Sequence, residues 1–553
     1  MSVAHRPAPP VDGIAAAEPA SDGVTLRKQA RPLELAAVFA LMTALTAIML
    51  YPQVRHLDSV ADRVDPLFSI WRLAWEARQL LVAPAHLYDA NIFYPEPYTL
   101  AYSDGMPLIA AAAAPFIWLG VRPVVVHNVF ALASFVLSGL AMYVFVRSLV
   151  GSALSAFVSA VAFAFYPFRF EHFVHLELLS AFWMPLALWA LHRCLNEPAR
   201  PWRMGLLAGV ALAAQYLSSM YFGVFLGAYL AVVGGGLLLA RGWGGAVKLK
   251  PLLAGVLLAG VLALPTLPPY MHVRQAIGER PRAAVQIYSA QPSDYLEVRH
   301  PIPRSGGCNE RQVFPGVLIV VLALVALWPP VRPVRVVYVV GLAVAFDLSL
   351  GSNGLVYPLL YDWCLPFRGL RAPARYAMLI GLSLAVLAGF GAARLIESGR
   401  RFKVARAAVL CAVILVEPRP PVAVEPLPAV PEVYRALEGR PVRAIAVLPM
   451  LHAVAAQYVY YSTSHWLPMV NGYSGALPRA YRPVHFAVEH FPDDASLALL
   501  RAYGVSHVVL HEEFYGAGEY RGVIARIDRR PELVFVSQST DGRFESRVYA
   551  LFR

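Results

Sequence analysis

The chain has 553 residues, 58% of them hydrophobic and only 15% charged. Soluble globular proteins carry roughly 45–50% apolar and about 25% charged residues, so a single soluble body is excluded. The formal charge is +12, but the basic residues sit in short breaks between apolar runs, which is a membrane pattern and not a nucleic-acid one.

Residues 1–32 are rich in Ala, Pro and small side chains and predict a disordered cytoplasmic tail. Arg27, Lys28 and Arg31 precede the apolar run 33–51. That run is too long for a signal-peptide core and lacks a small-residue cleavage site, so it predicts a retained anchor. Further apolar runs follow at 124–146, 153–167, 176–193, 204–219, 220–240, 251–268, 314–328, 336–350, 376–395 and 404–417. A crossing helix needs roughly 17–25 residues, so the shorter runs must borrow from their flanks.

The stretch 105–120 could span the membrane or lie half-buried on its surface. Charge decides between them. With 105–120 not spanning, Arg147, then Arg193, Arg200 and Arg203, then Arg241, Lys248 and Lys250 fall on the side of the basic tail. Arg332 with Arg335, and the group from Arg394 to Arg406, fall there too. The positive-inside rule therefore favours about eleven spans with a cytoplasmic N-terminus.

The expected organisation is an α-helical polytopic membrane domain over 33–417, with a long first outer loop at 52–122, and an extracytoplasmic α/β domain over 418–553. Short β-like runs at 444–448, 507–511, 533–537 and 547–551, with a helical pattern at 494–503, support the last assignment. No internal repeat is evident. Cys194, Cys308, Cys364 and Cys411 are too scattered for a disulfide framework or a CxxC metal site.

Ionisable groups near hydrocarbon are costly, so their placement is informative. The outer ends carry His127, Asn128, Glu171, His172, His175, Glu177, Asp347 and Glu417, and the first loop adds Asp58, Asp62, Asp65, Asp89, Glu96 and Asp104. In Asp62-Arg63-Val64-Asp65-Pro66, Pro66 suits a first helical turn, which makes Asp65 an N-cap. The residues that follow place Ile70, Leu73, Ala74 and Trp71 or Trp75 on one side, as in an interfacial helix. A carboxylate at the mouth of such a helix could serve as general base; the same spacing also fits a plain cap with Asp62 solvated.

An anchor helix, a long outer loop opening on an acidic motif and an interfacial helix together resemble the GT-C superfamily. So do Asp89-Ala90-Asn91-Ile92-Phe93-Tyr94-Pro95, Leu100-Ala101-Tyr102-Ser103-Asp104, Phe165-Tyr166-Pro167-Phe168-Arg169-Phe170 and the stretch from Phe367 to Tyr376. Members are polytopic glycosyltransferases that use polyprenyl-phosphate sugars, and the likeness is to a bacterial group of them. The resemblance implies a GT-C-like fold in the inner membrane and inverting transfer from a polyprenyl-phosphate-linked donor to a glycan, lipid or protein acceptor. It also implies a first-loop Asp as base, matching Asp65 or Asp62, with Asp65 preferred because it directly precedes the helix. Neither forms the tight D-x-D spacing of many members.

Four further groups follow. Arg169-x-Glu171-His172-x-x-His175-x-Glu177 places Glu171 and His175 four apart, on one face if helical. Glu171 is a second acid/base candidate, and His172 and His175 could hold a divalent ion with Asp62 or Asp65, or form only a polar collar. Arg368, Arg371 and Arg375 are spaced for one helical face and suit a lipid phosphate or pyrophosphate, against simple snorkelling to headgroups. Arg299, His300 and Arg304 form a weaker cluster, read as a solvated loop. In the C-terminal part, His465, Trp466, Asn471 and Tyr473 join aromatic and polar groups suited to an acceptor, though docking onto the membrane domain is the favoured reading. The Ser and His there lack a nucleophile-elbow context. The competing function is a non-catalytic scaffold, or a transporter or flippase for lipid-linked glycans. A transporter should show repeats and polar midplane breaks, which the sequence lacks.

Overall fold

The computed structural model describes residues 30–196, 199–241, 249–298, 309–399, 401–417 and 424–552. Residues 1–29 of the tail, the Arg299, His300 and Arg304 cluster, and Cys308 lie outside the described residues.

Each expected apolar run contains a helix. Many begin with proline in the first turn, where its missing N–H costs nothing: Pro32–Met49, Pro123–Val150, Pro201–Ser218 and Pro333–Ser349. Gly151, at φ 80°, ends the second of these in the left-handed conformation that favours glycine. Seven stretches are long and apolar enough to cross a membrane: Pro32–Met49, Pro123–Val150, Ala153–Glu171, Leu176–Asn196, Met220–Leu239, Leu249–Ile277 and Pro373–Glu397. The other four expected spans fall short of this measure for local reasons. Arg203 and Gln215 dilute Pro201–Ser218, Val317–Ala326 is cut short before Pro329 and Pro330, and Pro333–Ser349 and Lys403–Val416 are shorter helices carrying charge. Helices Pro201–Ser218 and Leu249–Ala263 pack backbone to backbone, since a Cβ on Gly209 would collide with Gly255. Ala377–Glu397 is buried along most of its length and forms the centre of the bundle.

Pro107–Trp118 is a helix of 12 residues, about 18 Å long, and packs against Asp65–Val82. The Asp65–Val82 helix differs from the interfacial helix expected. It is buried on all sides from Pro66 to Ala77, enclosed by Pro107–Trp118, Pro123–Val150 and the C-terminal helix Ala455–Tyr461. Its N-cap is Val64, and Asp65 is its first helical residue. The turn is instead closed by Asp62, whose Oδ1 accepts the Val64 N–H at 2.8 Å. Asp65 is thereby released from capping.

Beyond the bundle, a four-stranded sheet runs in the order Ile445–Leu448, His507–His511, Glu545–Leu551, Leu533–Thr540. The first pair is parallel, with Val447 opposite Val509, and the remaining pairs are antiparallel. The parallel strands are buried on both faces, as their unbroken apolar runs require. This sheet is stitched to the first loop. Ser59–Val60 pairs with Glu425–Pro426, Phe93 N–H donates to Asn471 O at 2.9 Å, and Met469 N–H donates to Asn91 O at 2.9 Å.

Candidate active site

A cavity of about 320 Å³ opens where the Asp65 helix begins. Its walls come from residues 101–104, 216–224, 267–280 and 365–375, closed by the loop 473–475. Asp65 lines it; Asp62 and Glu171 do not.

The Asp65 carboxylate is gripped from two sides. Tyr473 donates its hydroxyl to Oδ1 at 2.8 Å, and His175 Nε2 lies 3.4 Å from Oδ2. Burial alone would push Asp65 up, but the charge and hydrogen bond of His175, with help from Tyr473 and Arg72, outweigh it and hold the group well below the usual carboxylate range. His175 moves the opposite way: burial lowers it, and Asp65 more than compensates, raising it above an ordinary histidine. Asp62 is raised, first by burial, against the pull of the Val64 N–H and with the charge of Asp65 adding to the rise. Two carboxylates three positions apart are thus shifted in opposite directions.

Behind Asp65, one helical stripe carries Ser69, Arg72, Glu76 and Gln79. Arg72, 1% exposed, donates at 2.8 Å to both Ser69 Oγ and Glu177 Oε2, and also to the Asp104 carbonyl. The Asp104 carboxylate accepts the Ser219 hydroxyl at 2.9 Å and the Met220 N–H at 2.8 Å. Glu76 accepts the Met106 N–H at 3.3 Å. One guanidinium is thus paired with Glu177 and feels the charges of Asp104 and Glu76. Burial pushes Glu76 up to about 7, and burial with the charge of Glu177 pushes Asp104 up to about 6.

The arginines expected on one helical face are separated. Leu365–Gly369 and Pro373–Tyr376 are 3-10 turns, each with a proline near its start, flanking three non-helical residues. All three arginines line the cavity, yet their charges are spent differently. Arg368 donates to Glu279 at 3.1 Å and to the Tyr361 carbonyl at 3.0 Å. Arg375 is buried against Glu310, with Nε 2.9 Å from Oε2, beneath the Tyr221 ring. Arg371 donates to the Gly475 carbonyl at 2.9 Å and sits over the Tyr288 ring. Among the described residues no carboxylate pairs with Arg371. The same holds for Arg280, a half-buried cavity residue that the sequence reading did not single out and whose charge is felt by Arg371.

The second acid/base candidate and the metal candidates are also redistributed. The helix Pro167–Glu171 stops at Glu171 and resumes at Leu176, so Glu171 and His175 do not share a helical face. Glu171 is half-buried away from the cavity. His172 lies 3.7 Å from Glu310, and His175 faces Asp65. Among the described residues no group of three or more His, Cys, Asp or Glu side chains converges as a metal would require.

Of the acceptor candidates, only Tyr473 reaches the cavity. His465 stacks on Tyr434 at 4.9 Å and its Nδ1 accepts the Leu467 N–H. Trp466 packs on Trp75 at 5.8 Å, with the Arg78 guanidinium over its ring. Asn471 is buried, bonded to Val447 through both its N–H and its carbonyl at 2.7 Å. Trp466, through Trp75, and the Asn471 carbonyl, through the Phe93 N–H, fasten the C-terminal domain to the first loop, whereas His465 packs within that domain.

A bundle of apolar helices, a first loop that sets a carboxylate at a helix start inside a cavity, and a β-containing C-terminal domain closing that cavity define the GT-C membrane fold. The chain belongs to the family described as domain of unknown function DUF6311, which matches residues 82–416. Among solved structures it is similar to the arabinofuranosyltransferase AftD from Mycobacteria, at TM-score 0.63 and 16% identity, over 96% of this chain and 41% of that one. It therefore spans less than half the length of that protein. It is also similar to ArnT from Cupriavidus metallidurans bound to undecaprenyl phosphate, at TM-score 0.52 and 13% identity, over 94% of this chain and 98% of that one. A third likeness is to the oligosaccharyltransferase AglB from Archaeoglobus fulgidus, at TM-score 0.50 and 12% identity, over 94% of this chain and 74% of that one. No curated protein matches the sequence.

Proposed function

We propose that the chain is a membrane glycosyltransferase that moves a sugar from a polyprenyl-phosphate donor to an acceptor at this cavity, on the extracytoplasmic side. The carrying observation is that one cavity holds both the Asp65 carboxylate, bonded to Tyr473 and facing His175, and two guanidinium groups, Arg280 and Arg371, with no carboxylate partner among the described residues. Similar structures were solved with undecaprenyl phosphate and with a dolichol-phosphate, which supports a lipid-phosphate ligand.

In this reading the donor phosphate lies against Arg280 and Arg371, whose planar donors match phosphate oxygens. Arg368, which shares the Glu279 carboxylate with Arg274, and Arg375, paired with Glu310, shape the wall. The acceptor oxygen attacks the anomeric carbon and passes its proton to Asp65. The carbon–phosphate-oxygen bond breaks, and its electron pair leaves on the lipid phosphate. Negative charge on that phosphate grows through the step, so fixed guanidiniums stabilise the transition state more than the bound donor. One displacement inverts the anomeric centre.

The test is single-turnover release of label from a panel of radiolabelled polyprenyl-phosphate sugars, with purified protein in nanodiscs. Wild type should release label, Asp65→Asn should reduce release at least a hundredfold, and Asp62→Asn should retain most of it. Equal release by wild type and Asp65→Asn overturns the assignment of the base. Absence of donor binding across the panel overturns the function.

A further inference from the structure

The carboxylate assigned as base is already occupied. Its two oxygens face different parts of the molecule. Oδ2 faces His175, which is fixed in the membrane bundle between two helical segments. Oδ1 faces Tyr473, which belongs to a loop of the C-terminal domain. The Tyr473 ring meets Phe68 edge-on at 5.2 Å and lies 5.7 Å from the exposed ring of His452. Two residues on, the Gly475 carbonyl accepts the Arg371 hydrogen bond, so this short loop contacts both the base and a guanidinium with no carboxylate partner among the described residues.

An attacking oxygen must donate a proton to Asp65, and the Oδ1 side is the one bordered by a separate domain. A phenol oxygen there is a neutral single-proton donor at 2.8 Å, an ordinary O–H···O hydrogen-bond distance. We propose that the Tyr473 hydroxyl is a stand-in for the acceptor: a latch on Asp65 that the acceptor's hydroxyl displaces on entering past His452, between the Asp65 helix and the C-terminal domain. This rests on the glycosyltransferase reading and adds the chemistry of the acceptor atom. A neutral hydroxyl satisfies the site, whereas a phosphate oxygen would bring negative charge against Asp65. The flanking aromatic rings suit the apolar face of a carbohydrate. With no acceptor bound, the latch also keeps water from the place where it would attack the donor.

Water is therefore the probe. In the acceptor-free reaction a water oxygen bonds to the anomeric carbon, the bond to phosphate oxygen breaks with its electron pair, and Asp65 takes the proton, giving free sugar and polyprenyl phosphate. With the donor that wild type binds in nanodiscs, Tyr473→Phe should release free sugar about tenfold faster than wild type, the weight of one hydrogen bond to an ionised group. Tyr473→Leu, which keeps apolar packing on Phe68, should do the same, and Asp65→Asn combined with Tyr473→Phe should abolish the gain. The acid limb of the release profile should also move to higher pH in Tyr473→Phe. His175, Arg72, Asp62 and His172 still face Asp65 and are common to both proteins. Equal release by wild type and both Tyr473 variants, with unchanged thermal midpoints, overturns the latch while leaving the glycosyltransferase reading intact. A donor that no variant binds overturns that reading itself, and the latch with it.

Discussion

Arg72 and Glu177, 105 positions apart, meet in a buried ion pair at 2.8 Å that ties the Asp65 helix to the helix behind His175. The helix that carries Asp65 and the helix that follows His175 are thus held together by one ion pair. Removing a single partner of such a pair leaves an uncompensated buried charge and costs about 3–5 kcal/mol. Arg72→Met and Glu177→Gln should each lower the thermal midpoint of the protein in nanodiscs by several degrees. The double variant Arg72→Met with Glu177→Leu should recover part of that loss, because two apolar groups of similar volume leave no orphaned charge. A double variant less stable than either single one would show that Arg72 holds the helix mainly through Ser69 and the Asp104 carbonyl.

Glu76 supplies a pH dependence of definite sign. Its carboxyl is raised by burial from 4.5 to about 7, so the folded state binds more protons than the unfolded state between those values. Stability should therefore fall as pH rises from about 4.5 to about 7. Glu76→Gln should flatten that slope and raise the midpoint at neutral pH, measured by thermal scans across the window. Asp65 contributes with the opposite sign, since its lowered group stabilises above its unfolded value and loses that contribution on acidification. The Glu76 variant isolates one from the other. An unchanged slope in Glu76→Gln would assign the dependence to Asp104 instead.

His175 is expected to act on the reaction through Asp65. Its charge and hydrogen bond are the main influences holding that carboxyl low against burial. His175→Gln should leave Asp65 present but raise its pKa, so the acid limb of the rate profile, which lies well below the usual carboxylate range in wild type, should shift to higher pH. Label release from the polyprenyl-phosphate donor, followed from neutral pH down to the acid limit of folding, measures this. A uniform fall in rate with no movement of the limb would mean that the histidine only fills space.

How much of this was legible in the sequence depended on how local the cause was. The helix runs were legible because apolar length and flanking proline act over adjacent residues. Asp65 was legible because Asp-Pro marks a helix start, although Asp62, not Asp65, closes the turn. The Arg368, Arg371 and Arg375 spacing misled because Pro366 and Pro373 divide the segment into short turns. Arg72 carried a readable signal that went unused: Asp65, Ser69, Arg72, Glu76 and Gln79 recur at alternating intervals of four and three along an apolar helix, a polar stripe aimed at one face. Arg280 and Glu310 had no such mark, since their roles arise only where distant loops converge.

The arginines make the last and most discriminating prediction, because the sequence pattern and the folded charges disagree about which of them matter. Spacing groups Arg368 with Arg371, whereas the fold groups Arg371 with Arg280. Arg368 already has a carboxylate partner in Glu279, which it shares with Arg274. A phosphate approaching the cavity meets its strongest unspent attraction at Arg280 and Arg371. Arg280→Gln and Arg371→Gln should each weaken donor binding by about tenfold, as expected for the loss of a charge-assisted hydrogen bond. The double variant should weaken it further, while Arg368→Gln should change it less than twofold. Binding of undecaprenyl phosphate without sugar, followed by protection against thermal unfolding, reads the phosphate site directly and does not depend on turnover. A larger loss in Arg368→Gln than in Arg280→Gln would return the phosphate to the Arg368 side of the cavity. It would also mean that Glu279 gives up its partner when the lipid arrives.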